Sequence, residues 1–182
     1  NPHFIFNALN SIQDFILLSE QENASHYLGK FATLMRGFLD SSSKEKISLE
    51  KELPLLKSYI ELEGLRLGDD FSYEITFDDK IDEDDLDEIE IPPLLIQPYL
   101  ENAFKHGLLH QKGKKKLTLA FSEIENSNEK FLRLKITDNG VGRQKSAEIN
   151  ARKRKTHQSF ATQATQERLE LLKNQSFSNR NI

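Results

Sequence analysis

Cysteine is absent from the 182 residues, and with it go disulfides, thiol nucleophiles and cysteine-ligated zinc. That composition suits a reducing compartment. Long apolar runs are absent too: none approaches the roughly 18 to 20 residues of a membrane-spanning helix, and no signal-peptide pattern opens the chain. Nor is positive charge in excess, since 25 Lys and Arg stand against 29 Asp and Glu for a net charge of −4. Nothing in that balance gives a general reason to bind nucleic acid. There is no internal repeat. The chain begins at Asn1 rather than Met, so it is read as part of a longer protein whose membrane anchor is expected upstream.

What is present is 37% hydrophobic and 30% charged, enough for a packed core beneath a highly charged surface. The length allows one large domain, or a helical module followed by a small α/β domain. Ile5, Leu9, Ile12 and Ile16 recur at helical spacing, widened by Phe6, Phe15 and Leu18. After the polar "SEQENAS", Ala24, Tyr27, Leu28, Phe31, Leu34, Met35 and Phe38 form a second apolar face. Two such helices make an antiparallel hairpin. A lone hairpin leaves one face uncovered, so pairing with a second copy as a four-helix bundle is expected.

Ser48 is placed to N-cap a third helix, with Glu50 and Glu52 near its positive end. That helix carries Leu53, Leu56, Ile60 and Leu67 toward Gly68, and Pro54 is expected to bend it or to mark its true start. The period then changes to two at Phe71, Tyr73, Ile75 and Phe77, which predicts a strand. The acidic run "DDKIDEDDLDEIE" reads as a solvated connector without defined metal-ligand spacing. "IPPLLIQPYLENAFKHGL" starts a further helix, with proline acceptable in its first turn. Strands around Leu117, Leu119 and Phe121 and around Phe131, Leu132, Leu134 and Ile136 follow, predicting an antiparallel pairing, and an amphipathic helix is expected around "ERLELL".

Three short stretches carry chemistry. In "NPHFIFNALNSI", His3 stands among apolar residues with Asn7 one turn on; a histidine in that setting packs as readily as it reacts. In "ENAFKHG", a helix places Glu101, Asn102, Lys105 and His106 within about a turn and a half, with Asn102 and His106 on one face. Such a patch can receive a metal-bound phosphate chain, and Asn offers Mg²⁺ a neutral oxygen. An ordinary polar helix face ending at Gly107 accounts for the same residues. In "TDNGVG", Asp138 ends a strand beside Gly140 and Gly142. An ionised Asp accepts hydrogen bonds only, which suits an exocyclic amine such as adenine's, and glycines let a ligand touch the main chain. A tight turn capped by Asp-Asn accounts for these residues equally well.

Taken in order, "QPYLENAFKHGL", "ITDNGVGR" and "ERLELL" resemble the ATP-binding domain of the GHKL superfamily, which includes gyrase, histidine kinases and MutL. With "NPHFIFNALNSI" in front and "YIELEGLRLGDDF" before the first strand, nearly the whole chain resembles the cytoplasmic region of a LytS/YehU-type sensor histidine kinase. The resemblance implies an α+β fold: a hairpin in residues 1–47 that dimerises as a four-helix bundle and carries the phosphoacceptor, a connecting helix in residues 48–70, and a GHKL (Bergerat-type) α/β sandwich with a mixed, largely antiparallel sheet in residues 71–182. It implies that His3 accepts the γ-phosphoryl group of ATP. Asn102 then holds Mg²⁺ against the triphosphate, while Glu101 orients the metal's water shell or the nucleophile. Lys105 and His106 are candidates for phosphate contact, and Asp138, with Gly140 and Gly142 beside it, reads adenine. Residues 143–158 would form a lid. The partners implied are a second copy of the chain and a cognate response regulator, in the cytoplasmic region of a bacterial inner-membrane protein that does not itself touch the bilayer.

Two departures stand out. Many relatives carry a second glycine-rich box before the last helix, where this chain has "SFAT", with Ser159 and Ala161 in place of glycines. Each adds a Cβ that costs about 1 kcal/mol if a positive φ is needed. "KNQSFSNRNI" ends the chain where the family adds closing strands, so the sheet is expected to be truncated there. A nucleotide-binding scaffold that signals by shape, and an ATP hydrolase of the same superfamily, are the competing readings.

Overall fold

The structure, a computed structural model, describes residues 2–126 and 129–142, with Pro2 and His3 described as backbone. The expected helix around "ERLELL", the lid of residues 143–158, Ser159 and Ala161 lie outside the described residues.

Two helices open the chain, α1 (Pro2–Leu17) and α2 (Gln21–Ser42), joined by a reversal in which Ser19 takes φ 61°. The spacing of apolar residues allowed two inner faces for α1, and the structure corrects the expected one. Phe4, Ala8 and Ile12 are buried, with Phe15 packed beside them, while Phe6, Leu9, Ile16 and Leu18 are exposed. Small Ala8 lets the helix axis approach its neighbours, which the bulkier Leu9 would not. On α2 the expected face holds, with Ala24, Tyr27 and Leu34 buried, except that Leu28 is half exposed.

A two-residue strand, β1 (Ile47–Ser48), precedes α3 (Leu49–Leu65). Ser48 does occupy the N-cap position, but its side chain makes no capping bond. Carbonyls of the acidic connector do that work instead: the Leu49 N–H donates to Ile89 O at 2.7 Å and the Glu50 N–H to Leu86 O at 3.1 Å. The helix begins before Pro54 and continues through it, at the loss of one backbone donor.

The period-two segment forms β2 (Phe71–Phe77). The acidic connector is anchored at both ends by buried Ile81 and Leu86, contains a 3₁₀ turn capped by the Asp82 carboxylate, and returns as β3 (Glu90–Ile91), antiparallel to β1. Neither β1 nor β3 is long enough to show a periodicity. The segment from Gln97 to Asn102 forms α4, and the long strands β4 (Lys115–Asn126) and β5 (Glu129–Asp138) complete the described chain.

The main sheet has the order β2-β4-β5. β4 and β5 pair antiparallel, Leu119 opposite Ile136 and Leu117 opposite Asp138. β2 and β4, by contrast, pair in parallel, Ile75 opposite Leu119. The sheet is thus mixed, as expected, and residues 78–114 form the crossover that parallel neighbours require. The inner face of the sheet and all four helices share one hydrophobic cluster, so the described elements form an α+β arrangement around a single core.

Candidate functional site

The crossover brings the "ENAFKHG" segment over the end of the sheet. Its local form differs from the regular helix expected. α4 stops at Asn102, a π turn occupies Ala103–Gly107, and a 3₁₀ turn occupies Leu108–His110. A π turn widens the helix locally and is frequent where function needs a re-aimed side chain. Here it brings Gly107 against the far end of β5. A Cβ on Gly107 would run into the Asp138 carboxylate, and one on Gly140 would run into the Gly107 backbone. The contact is completed by the Val141 N–H, 3.4 Å from Gly107 O. Two glycines thus let the "KHG" and "DNG" motifs touch main chain to main chain.

Between them lies a cavity of about 350 Å³. Its apolar wall is made by Leu95, Ile96 and Ala103 on one side and by Leu134 and Ile136 of β5 on the other. Tyr99, Asn102, His106 and Asp138 supply the polar groups, with Gly107 and Gly142 at the margin. Apolar walls with a few convergent polar groups are the usual build of a small-molecule site. A shallower groove of about 610 Å³ between α2 and α3 is lined by surface polar residues such as Glu22, His26 and Lys30, and lacks such walls.

Asp138 lies at the end of the inner face of β5, opposite Leu117. Its Oδ1 accepts the Gly140 N–H at 2.9 Å, which fixes the carboxylate at the cavity wall. Asn139 holds the turn in place, its Oδ1 accepting from the Lys116 N–H at 2.7 Å and its Nδ2 donating to Lys114 O at 3.0 Å. Gly142 takes φ 79°, open to glycine at little cost.

The wall residues Leu95 and Ile96 follow Leu94, whose φ of 58° places a bulky side chain in the left-handed region, at a cost of about 1–2 kcal/mol. The Leu94 N–H donates to the carboxyl of Glu52 on α3. Glu52 is 1% exposed and its Oε2 has no hydrogen-bond partner among the described residues. Burial pushes that carboxyl up to about 7, with the Leu94 hydrogen bond acting the other way.

Of the residues named from sequence, then, Asn102, His106, Asp138 and Gly142 meet at one cavity, and Gly140 packs directly behind it. Glu101 and Lys105 are not among the lining residues. Lys105 is exposed, and the charge of Glu101 acts on Tyr59 and Glu63 of α3. The His3 backbone lies in the first turn of α1. Sequence reasoning missed Gly107, Tyr99, Asn139 and the apolar wall. Asn139 was accessible from the Asx-turn chemistry of Asp-Asn-Gly; Gly107 emerges only once two distant motifs are seen in contact.

Residues 1–71 match the family model described as "Histidine kinase". That match covers α1 with His3, α2 and α3. Over 142 residues, 78% of this chain, the sequence is 36% identical to Sensor protein LytS of Oceanobacillus iheyensis. It is 34% identical to Sensor histidine kinase YpdA of Escherichia coli (strain K12) and 30% identical to Sensor histidine kinase/phosphatase LytS of Staphylococcus aureus (strain Mu50) over the same length. Over that length the chain is homologous to sensor histidine kinases. It spans 23% of the length of these curated relatives. Among the described residues, no helix is long and apolar enough to cross a membrane.

Proposed function

We propose that this chain is the dimerising and ATP-binding part of a sensor histidine kinase, which phosphorylates His3 from ATP and passes the group to an aspartate of a response regulator. The observation that carries this reading is the convergence of Asn102, His106 and Asp138, from two motifs far apart in sequence, on one apolar-walled cavity. The Asp138 carboxylate suits an amino group on a flat heterocycle, and Leu134 and Ile136 offer the ring an apolar surface. Asn102 and His106, on the adjoining turn, face the same space and suit the phosphates.

The donor set also fits Mg²⁺. Mg²⁺ keeps most of its waters and is held largely by substrate phosphates, so it asks for few protein ligands. Asn102 would supply its protein oxygen. The ion contributes charge neutralisation on the triphosphate, while the chain's own residues bind and orient. A free imidazole has a pKa of about 6.5, so at pH 7 it is largely neutral and already nucleophilic, which suits histidine to the acceptor role. A ring nitrogen forms a bond to the γ-phosphorus as the bond to the β,γ-bridging oxygen breaks. ADP departs with that electron pair, and the imidazolium proton passes to solvent. Such a transfer depends on positioning and electrostatics rather than on a strong base.

Self-association belongs to the same reading. Phe6, Leu9, Ile16 and Leu17 on α1 and Leu28 and Leu39 on α2 are exposed, and a second hairpin would cover them in a four-helix bundle. The reading is tested with the full-length protein, Mg²⁺ and γ-labelled ATP, with His3→Gln alongside. Label that is acid-labile, alkali-stable and lost in His3→Gln is the expected result. Label released as free phosphate would favour the hydrolase, and bound ATP without retained label the scaffold.

A further inference from the structure

Phe4, the residue after His3, is 4% exposed. Its ring centre is 5.0 Å from that of Tyr59 on α3, and Phe31 and Phe38 of α2 approach it at 5.8 Å and 6.5 Å. Tyr59, 2% exposed, stands edge-on to Phe104, with 6.2 Å between centres and 77° between planes. Phe104 lies inside the π turn between Asn102 and His106. Its other neighbour is Phe71 at the start of β2, 5.6 Å away. Three rings therefore run from the first turn of the His3 helix, through α3, into the turn that supplies the cavity's polar groups.

We propose that Tyr59 is a positioning residue for phosphoryl transfer, its ring setting the first turn of α1 against the cavity turn of the same chain. This rests on the kinase reading above and adds to it a residue that touches neither nucleotide nor phosphate. Adjacent residues of a helix are separated by only about 1.5 Å along its axis, so the anchor on Phe4 is also an anchor on the His3 backbone. Edge-to-face packing of aromatic rings is directional, and Tyr59 contacts both rings, so a shift of either turn is felt by the other. Transfer falls by about a hundredfold for a misplacement of about 1 Å, which makes a rigid ring at this point more than filler.

Tyr59→Leu removes the ring and keeps the site apolar; Tyr59→Phe keeps both ring contacts. Three quantities are read on the full-length protein: hydrogen exchange of residues 3–9, affinity for a fluorescent ATP analogue, and the rate of label retention at saturating Mg·ATP. Tyr59→Leu is expected to speed exchange in the first turn of α1, leave nucleotide affinity within about twofold, and slow label retention by about tenfold or more, with Tyr59→Phe restoring wild-type behaviour. Unchanged exchange at residues 3–9 overturns the proposal, as does a label rate that is unchanged or raised, or one that falls only in proportion to lost nucleotide affinity. The exchange measurement needs no kinase activity, so a wild-type protein that retains no label sinks the functional reading while the Tyr59 anchor is still decided. If Tyr59→Leu fails to fold, Phe4→Leu, which breaks the same contact from the α1 side, takes its place with the same expected outcomes.

Discussion

α3 and the outer side of the α1–α2 hairpin handle their side chains in opposite ways. Along α3 even acids are inside: Glu52 and Glu63 are 1% and 7% exposed. Burial pushes the Glu63 carboxyl up despite Arg66, whose guanidinium lies 2.7 Å away. On the hairpin, large apolar side chains are outside, Phe6 at 66% and Leu17 at 73% exposed. Both arrangements are unfavourable for an isolated chain, but in different senses. Buried acids cost desolvation that only the surrounding fold offsets, whereas an exposed apolar stripe marks a surface built to be covered. The central helix is therefore finished within one chain, whereas the hairpin leaves an apolar face open to the second copy proposed above.

The largest test of that contrast is a cavity in α3. Leu62→Ala, at a site with no exposure, is expected to cost about 2–5 kcal/mol in urea unfolding. Next comes Glu52→Gln. The folded-state carboxyl sits at about 7, above its ordinary value of 4.5, so the folded state holds a proton that the unfolded state releases. The stability this gives is complete below pH 4.5 and is lost as pH rises to about 7. Glu52→Gln is expected to match wild type near pH 4.5 and to exceed it at pH 8 by about 1–3 kcal/mol, with unfolding curves at the two pH values as the check. A smaller effect is expected where the hairpin meets α3. Lys30 Nζ lies 2.6 Å from Glu61 Oε2, both partly exposed, and Lys30→Ala is expected to cost about 0.2–1 kcal/mol, a difference that shrinks in high salt. Smallest for the monomer is the outer face: Leu17→Ala is expected to change monomer unfolding by less than about 0.5 kcal/mol while shifting sedimentation toward the monomer. A large monomer penalty there would erase the contrast.

How much of this was legible depended on whether the signal was local. β2 announced itself by alternation, and the α2 face by its helical spacing, because both depend on near neighbours. Asn102, His106 and Asp138 were legible because their side-chain types already suggest nucleotide and metal chemistry. The inner face of α1 was not, since Phe4, Ala8 and Ile12 compete with an equally apolar stripe and only the neighbouring Phe31, Phe38 and Tyr59 decide between them. The cap of α3 was misread for a related reason: Ser48 has the right chemistry, yet Leu86 and Ile89, distant in sequence, reach the helix end first. The π turn at Ala103–Gly107 packs against Gly140, just past the end of β5, and no short window of the sequence contains both.

The parallel edge of the sheet has a consequence for how the protein forms. β4 and β5 are near neighbours in the chain, and such local pairings are quick. β2 can join β4 only after residues 78–114 have closed a long loop, and pairings of high sequence separation are slow. That same loop carries Tyr99, Asn102 and His106, so one wall of the cavity arrives with the late step and the other, on β5, with the early one. On this topology the site is expected among the last features to assemble, and a ligand spanning both walls would hold shut the part of the fold expected to close most slowly.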